Sequence, residues 1–197
     1  MSLVIAYKKE GVVYVGADTQ TTSGNDEKVT VLANGSTKLI RLPNGILLGA
    51  VGHVYTKQHI WANAEEWFTL PEDGVLTKKH VVTHVVPQMF AYFRENDLFG
   101  NEDKRTPPDS GSHLLVAHKD KLFDITNDFS VSVIESFAAI GAGEGFVQYG
   151  MEHIDPEAPI PKQLLALLRI GASCNSTISA PFLLGDTATK KFKIVRN

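Results

Sequence analysis

Short apolar runs open and close the chain, and apolar residues at helical spacing fill its middle. Ser2 to Tyr7 is an apolar run ending at a Lys8–Gly11 turn, and Val12 to Ala17 is β-branched and aromatic, so both predict strands, with Asp18 at the end of the second. A polar stretch follows from Thr19 to Lys28. Thr37 to Leu42 and Ile46 to Val51 are apolar runs around Pro43-Asn44-Gly45, and Asn-Gly supplies the positive φ angles that a tight hairpin needs.

The pattern then changes period. Ile60, Ala64 and Trp67 recur at helical spacing until Pro71-Glu72-Asp73-Gly74 interrupts them. Thr77 is suited to cap a second helix, which runs from Lys78 to Arg94 and is apolar on most faces, with Pro87 expected to kink or break it. Asn, Asp, Gly and Pro make Asn96 to Gly111 a loop.

Ser112 to His118 and Lys121 to Ile125 predict a hairpin around Lys119-Asp120, followed by short strands at Val131 to Glu135 and Phe137 to Ile140. Gly141-Ala142-Gly143 opens a helix over Glu144 to Glu152, Pro156 to Pro161 is a linker, and Lys162 to Ile170 is a leucine-rich helix. Phe182 to Leu184 and Phe192 to Val195 predict a closing pair of strands. Strands and helices are segregated rather than alternating, which predicts an α+β class: antiparallel sheets with helices outside.

Length and charge narrow the function classes. A chain of 197 residues with 43% hydrophobic residues is expected to form one domain, 1–197, with a sizeable core. A net charge of -3 gives no reason to expect nucleic acid or an anionic membrane as partner. The apolar runs are far shorter than the roughly 20 residues that span a bilayer. The opening residues lack the basic region, long apolar run and cleavage site of a signal peptide. Cys174 is the single cysteine, so no internal disulfide can form, and a cytoplasmic location is expected.

Four motifs sharpen this picture. They are Leu3-Val4-Ile5-Ala6 with Gly11-Val12-Val13; Gly16-Ala17-Asp18-Thr19-Gln20-Thr21-Thr22; Thr37-Lys38-Leu39-Ile40-Arg41-Leu42; and Leu48-Gly49-Ala50-Val51-Gly52. With Ala138-Ala139-Ile140-Gly141-Ala142-Gly143, and in this order, they resemble proteasome β-subunits and the bacterial HslV peptidase, N-terminal nucleophile (Ntn) hydrolases. The resemblance spans nearly the whole chain. It implies a four-layer αββα sandwich, two antiparallel sheets flanked by helices.

The same resemblance implies site residues. It places Ser2 on the family's nucleophile, Asp18 on its carboxylate, Lys38 on its active-site lysine and Gly49 on the glycine strand lining the cleft. An N-terminal serine with a free α-amine carries nucleophile and base on one residue, which requires removal of Met1. The amine has an ordinary pKa of about 7.7–8.0 and can take the hydroxyl proton. Lys38 would lower that pKa, Asp18 would hold Lys38, and the Gly49 N–H would face the oxyanion. Acyl transfer from a peptide or amide bond to the hydroxyl, then hydrolysis, is the implied reaction, with a peptide or protein as substrate. Without the resemblance, Asp18 reads as a turn cap, Lys38 as a solvated strand residue and Gly49 as a packing glycine.

Two departures point the other way. Ala142 stands where the family has a serine, and no Asp or Glu lies between Glu157 and Asp186, where the family has an aspartate. Asn175 is the nearest polar stand-in, followed by Ser176 and Ser179. The second expectation is therefore a non-catalytic scaffold or binding protein that keeps the fold. Either way the resemblance implies a homo-oligomeric ring and, for some members, an ATPase partner.

The remaining clusters carry less. His80 and His84 share a helix face, but Val81 stands where a zinc protease needs glutamate, so no metal is expected. Cys174 is expected to be a buried small side chain. Gly141 to Gly145 lacks a P-loop lysine, and no cofactor is expected. Trp61, Trp67 and Phe68 are expected in the core or at a subunit contact.

Overall fold

The computed structural model describes residues 2–22, 28–30, 37–99, 108–189 and 191–196; Met1 and parts of the stretches read above as polar or loop, 23–27 and 100–107, lie outside them. Leu3–Lys9 (β1) and Val12–Asp18 (β2) pair as the expected hairpin, with Val4 opposite Ala17. Gln20–Thr22 (β3) and Lys28–Thr30 (β4) form a separate two-stranded ribbon. Leu39–Arg41 (β5) and Leu47–Gly52 (β6) follow, then the helix Val54–Trp67 (α1).

The second helical stretch is built in three consecutive parts: Lys78–His80 (α2), a π turn at Val81–Val85, and Val86–Glu95 (α3). Thr77 caps it as expected, accepting a hydrogen bond from the His80 N–H. Pro87 does not end the helix. Its ring lacks an N–H and crowds the carbonyl four residues back, and the wide turn directly before it accommodates that.

Ser112–His118 (β7), Lys121–Ile125 (β8), Val131–Val133 (β9) and Phe137–Gly141 (β10) lead to Glu144–Glu152 (α4) and Ile160–Cys174 (α5). Phe182–Asp186 (β11) and Lys193–Val195 (β12) close the chain. α5 is longer than Lys162 to Ile170 at both ends, with Pro161 inside its first turn, where a missing N–H costs nothing. Cys174, expected buried, is exposed because it falls on the last turn of α5.

The strands form two antiparallel five-stranded sheets, ordered β10-β1-β2-β11-β12 and β5-β6-β7-β8-β9. Three apolar layers separate four layers of structure. Val4, Ala6, Val15 and Ala17 meet Leu39, Leu47, Val51 and Leu115 between the sheets. On the outer face of the first sheet, Leu3 and Ile5 meet Val147, Met151, Leu164 and Leu168 of α4 and α5. On the outer face of the second, Leu48, Ala50, Leu114 and Val116 meet Ile60, Ala64, Trp67, Met89 and Phe93. Successive strand side chains point to opposite faces, and here both faces are covered. That is why β1 and β6 read as continuous apolar runs rather than as alternation.

Candidate active site

The hairpin register sets the first half of the site. Pairing of Val4 with Ala17 brings the end of β2 beside the start of β1. There the Leu3 N–H donates to Asp18 Oδ1 at 2.9 Å and the Gln20 N–H donates to Oδ2 at 3.1 Å. The second sheet supplies the other half. Lys38 precedes β5, held by the Ala50 N–H donating to its carbonyl at 2.9 Å, and its Nζ donates to Asp18 Oδ1 at 2.6 Å. Both side chains of this ion pair are buried, Asp18 at 0% and Lys38 at 1% exposure. Burial pushes the Asp18 carboxyl up, against the opposing pull of Lys38 and the two backbone donors. Burial pushes the Lys38 ammonium down, against the attraction of Asp18.

Ser2 is buried beside this pair and opens onto a cleft of about 370 Å³. Gln20, Thr21 and Thr22 of β3 form one wall, and Gly52, His53, Val54, Tyr55 and Lys57 form the other, with Lys38 in the lining. The lining is polar and apolar in about equal parts and, among the described residues, includes two lysines and no carboxylate. Lys57, on the first turns of α1, is 3% exposed. Its ammonium has no hydrogen-bond or ion-pair partner among the described residues. Burial, reinforced by the nearby Lys38 charge and opposed by Asp18, pushes its pKa down to about 8. Gln20 donates to Thr22 Oγ1 and the Ser176 carbonyl, both at 3.1 Å, while its Oε1 is a buried acceptor without a partner. A separate hollow of about 250 Å³ between α5 and β11 is largely apolar and contains none of these groups.

No family model and no curated protein matches this sequence. Solved structures do. A structure of Thiobacillus denitrificans BPH in complex with epoxomicin superposes with a TM-score of 0.72 at 17% identity, covering 93% of this chain and 97% of that one. Anbu, the ancestral β-subunit, from Yersinia bercovieri gives 0.71 at 14% identity over 98% of this chain and 86% of that one. The eukaryotic HslV from Trypanosoma brucei gives 0.66 at 15% identity over 93% and 98%. The fold is that of the proteasome-like Ntn hydrolases. The likeness is one of architecture, so the resemblance read from the motifs holds for the fold, and the chemistry rests on the site itself.

Within the proteasome-like fold, three of the five expected site residues converge: Ser2, Asp18 and Lys38. Gly49 does not reach the cleft. It lies in β6 between Leu39 and Leu115 in the neighbouring strands, and a Cβ there would stand 2.7 Å from Val4 Cγ1, so it is a close-packing position between the sheets. The cleft glycine is Gly52, three residues on, where β6 turns into α1. Its φ of +118° suits only glycine, and a Cβ would run into the Gly111 carbonyl.

Asn175 makes no hydrogen bond to Ser2 among the described residues. It caps α5, accepts from the Thr177 N–H at 3.0 Å and hydroxyl at 2.6 Å, and reaches only the Ala142 carbonyl, at 3.4 Å. Sequence reasoning passed over Lys57, Gln20 and Gly52. Gly52 lies in the same motif, three residues along β6 from Gly49. Lys57 had no sequence signal, because a lysine on an amphipathic helix ordinarily faces water.

The His80 and His84 rings lie 4.8 Å apart, with His80 Nε2 at 3.0 Å from the Thr69 carbonyl, and no metal-binding group is found among the described residues. Trp67 and Phe68 are core residues, and the Trp61 indole N–H donates to the Thr37 carbonyl at 2.9 Å, pinning the segment before Lys38.

Proposed function

We propose that this protein is an Ntn amidohydrolase that cleaves peptide or amide bonds by acyl transfer to the Ser2 hydroxyl. The observation that carries the reading is the buried Lys38–Asp18 pair, bound through Asp18 to the backbone N–H next to Ser2. With Met1 removed, the α-amine takes the hydroxyl proton as Ser2 Oγ bonds to the substrate carbonyl carbon. The resulting oxyanion faces the Gly52 N–H at the end of β6, apart from the N–H groups of α1. Collapse breaks the C–N bond, the leaving amine takes the proton back, and water then hydrolyses the Ser2 ester. Lys38 keeps positive charge beside the amine and favours its neutral form. Asp18, tied to Leu3, fixes both. Association of copies into a homo-oligomer through the outer helical layers belongs to the same proposal, as does a cytoplasmic setting with an ATPase partner.

A second reading, a scaffold or binding protein with this fold, is favoured by one feature. Among the described residues, no side chain hydrogen-bonds to Ser2: Asn175 is committed to Thr177, and Ala142 offers no hydroxyl.

The two readings separate on intact mass. Protein with Ser2 as its first residue is incubated with a peptide epoxyketone, which needs both hydroxyl and free α-amine to close its ring. The hydrolase predicts one adduct that maps to Ser2 and disappears in Lys38→Ala. An unlabelled protein with a verified free Ser2 would establish the scaffold reading.

A further inference from the structure

Lys57 is not used by the chemistry above, and its situation is unusual. Lysine is among the residues least often fully buried unless paired. Here it is 3% exposed, lines the cleft and has no hydrogen-bond or ion-pair partner among the described residues. Taking an ammonium out of water without a counter-charge is costly. Asp18, the nearest acid, already serves Lys38, Leu3 and Gln20.

A second observation comes from the helix itself. α1 is 14 residues long, begins at the cleft wall and has no side-chain cap on its N-terminal N–H groups and no acidic residue in its first turn. Those N–H groups and the helix dipole favour an anion at this end. Val54 and Tyr55, whose N–H groups are among them, line the cleft together with Lys57. A fixed ammonium and an uncapped helix terminus thus face one volume beside Ser2.

We propose that Lys57 and the N-terminus of α1 form a carboxylate-binding subsite, so that preferred ligands of the cleft carry a free carboxylate next to the bond presented to Ser2. The inference rests on the hydrolase reading for calling that ligand a substrate, though the binding itself does not require turnover. A carboxylate fits better than a neutral side chain because it alone gives Lys57 its missing counter-charge. Its source is either an acidic side chain or the end of a peptide chain.

Calorimetric titration tests this with three acetylated tripeptides. One ends in glutamate amide, one in glutamine with a free chain end, and one in glutamine amide, which has no carboxylate. At pH 7 the protein is expected to bind one of the first two about tenfold or more tightly than the third, and which one identifies the source. Lys57→Met, which keeps length and removes charge, is expected to abolish that preference, as is Lys57→Gln, with unchanged circular dichroism in both.

Wild-type protein gives a further check without mutation: the preference should fall as pH rises from 7 to 9.5. Lys38, His53 and Tyr55 line the same space, the Ser2 α-amine opens onto it once Met1 is removed, and Asp18 lies behind Lys38, so the pH effect is read as the difference from Lys57→Met. Equal binding of all three peptides, no binding of any, or a preference that survives both variants overturns the proposal. Lys57-dependent binding with no adduct at Ser2 keeps the subsite and overturns the hydrolase. Adduct formation with no carboxylate preference does the reverse.

Discussion

Two buried lysines sit within one site and face opposite balances. Lys38 has Asp18 at 2.6 Å, and removing either partner would strand a charge at a cost of about 3–5 kcal/mol. Lys57 has no such partner, so its burial, reinforced by the Lys38 charge, is a standing penalty on the folded protein. A pKa held down from the ordinary 10.5 to about 8 corresponds to roughly 3 kcal/mol. The sign follows from proton binding. Between about pH 8 and 10.5 the unfolded chain holds this proton and the folded protein does not, so the penalty is complete below 8 and fades as pH rises toward 10.5. Lys57→Met is therefore expected to raise the urea midpoint at pH 7, and the gap between variant and wild type should narrow by pH 10. A variant less stable than wild type at pH 7 would mean that the ammonium has a counter-charge after all. A residue that costs stability while lining a cleft is what a binding role would leave behind.

α1 links core and cleft. Its later turns bury Ile60, Ala64 and Trp67 against the second sheet, while its first turn forms the cleft wall. The joint is Thr56, whose hydroxyl donates to the His53 carbonyl at 3.1 Å and lies 2.8 Å from the Ser112 hydroxyl of β7. Thr56→Val keeps the shape and removes both contacts. It is expected to cost about 1–3 kcal/mol in denaturant unfolding and to weaken peptide binding. Thr77→Ala, which removes the cap of α2 away from the cleft, should cost about 1 kcal/mol and leave binding unchanged. Equal binding losses in both would show that α1 has no special hold on the cleft. At this scale most elements were legible, because apolar runs and helical spacing respond directly to burial. The ribbon β3–β4 was not: Gln20, Thr21 and Thr22 are polar, and their pairing satisfies backbone groups rather than a core. Nor was the π turn, which depends on how the helix seats on the sheet.

The whole molecule explains why half of the site escaped sequence reading. Motif order placed Ser2, Asp18 and Lys38, and missed Gln20, Gly52 and Lys57; Ser2 and Asp18 are neighbours through a local hairpin. Lys38 joins them only because two sheets stack, and Gly49 and Gly52 exchange roles according to which one faces the first sheet and which one the cleft. Stacking also decides what remains outside. α4 and α5 cover the first sheet and leave Phe146, Ile170 and Tyr149 toward solvent, Tyr149 at 72% exposure with its ring 4.1 Å from that of His153. Large exposed aromatic groups on one helical layer fit a contact between copies better than a free surface. Light scattering at micromolar protein is expected to give a multiple of 21.5 kDa. Tyr149→Glu should lower that mass toward one chain while the thermal midpoint changes little, because the side chain is 72% exposed in a single copy. A wild-type mass of 21.5 kDa would remove the oligomer from the proposed function and leave the cleft to act within a single chain.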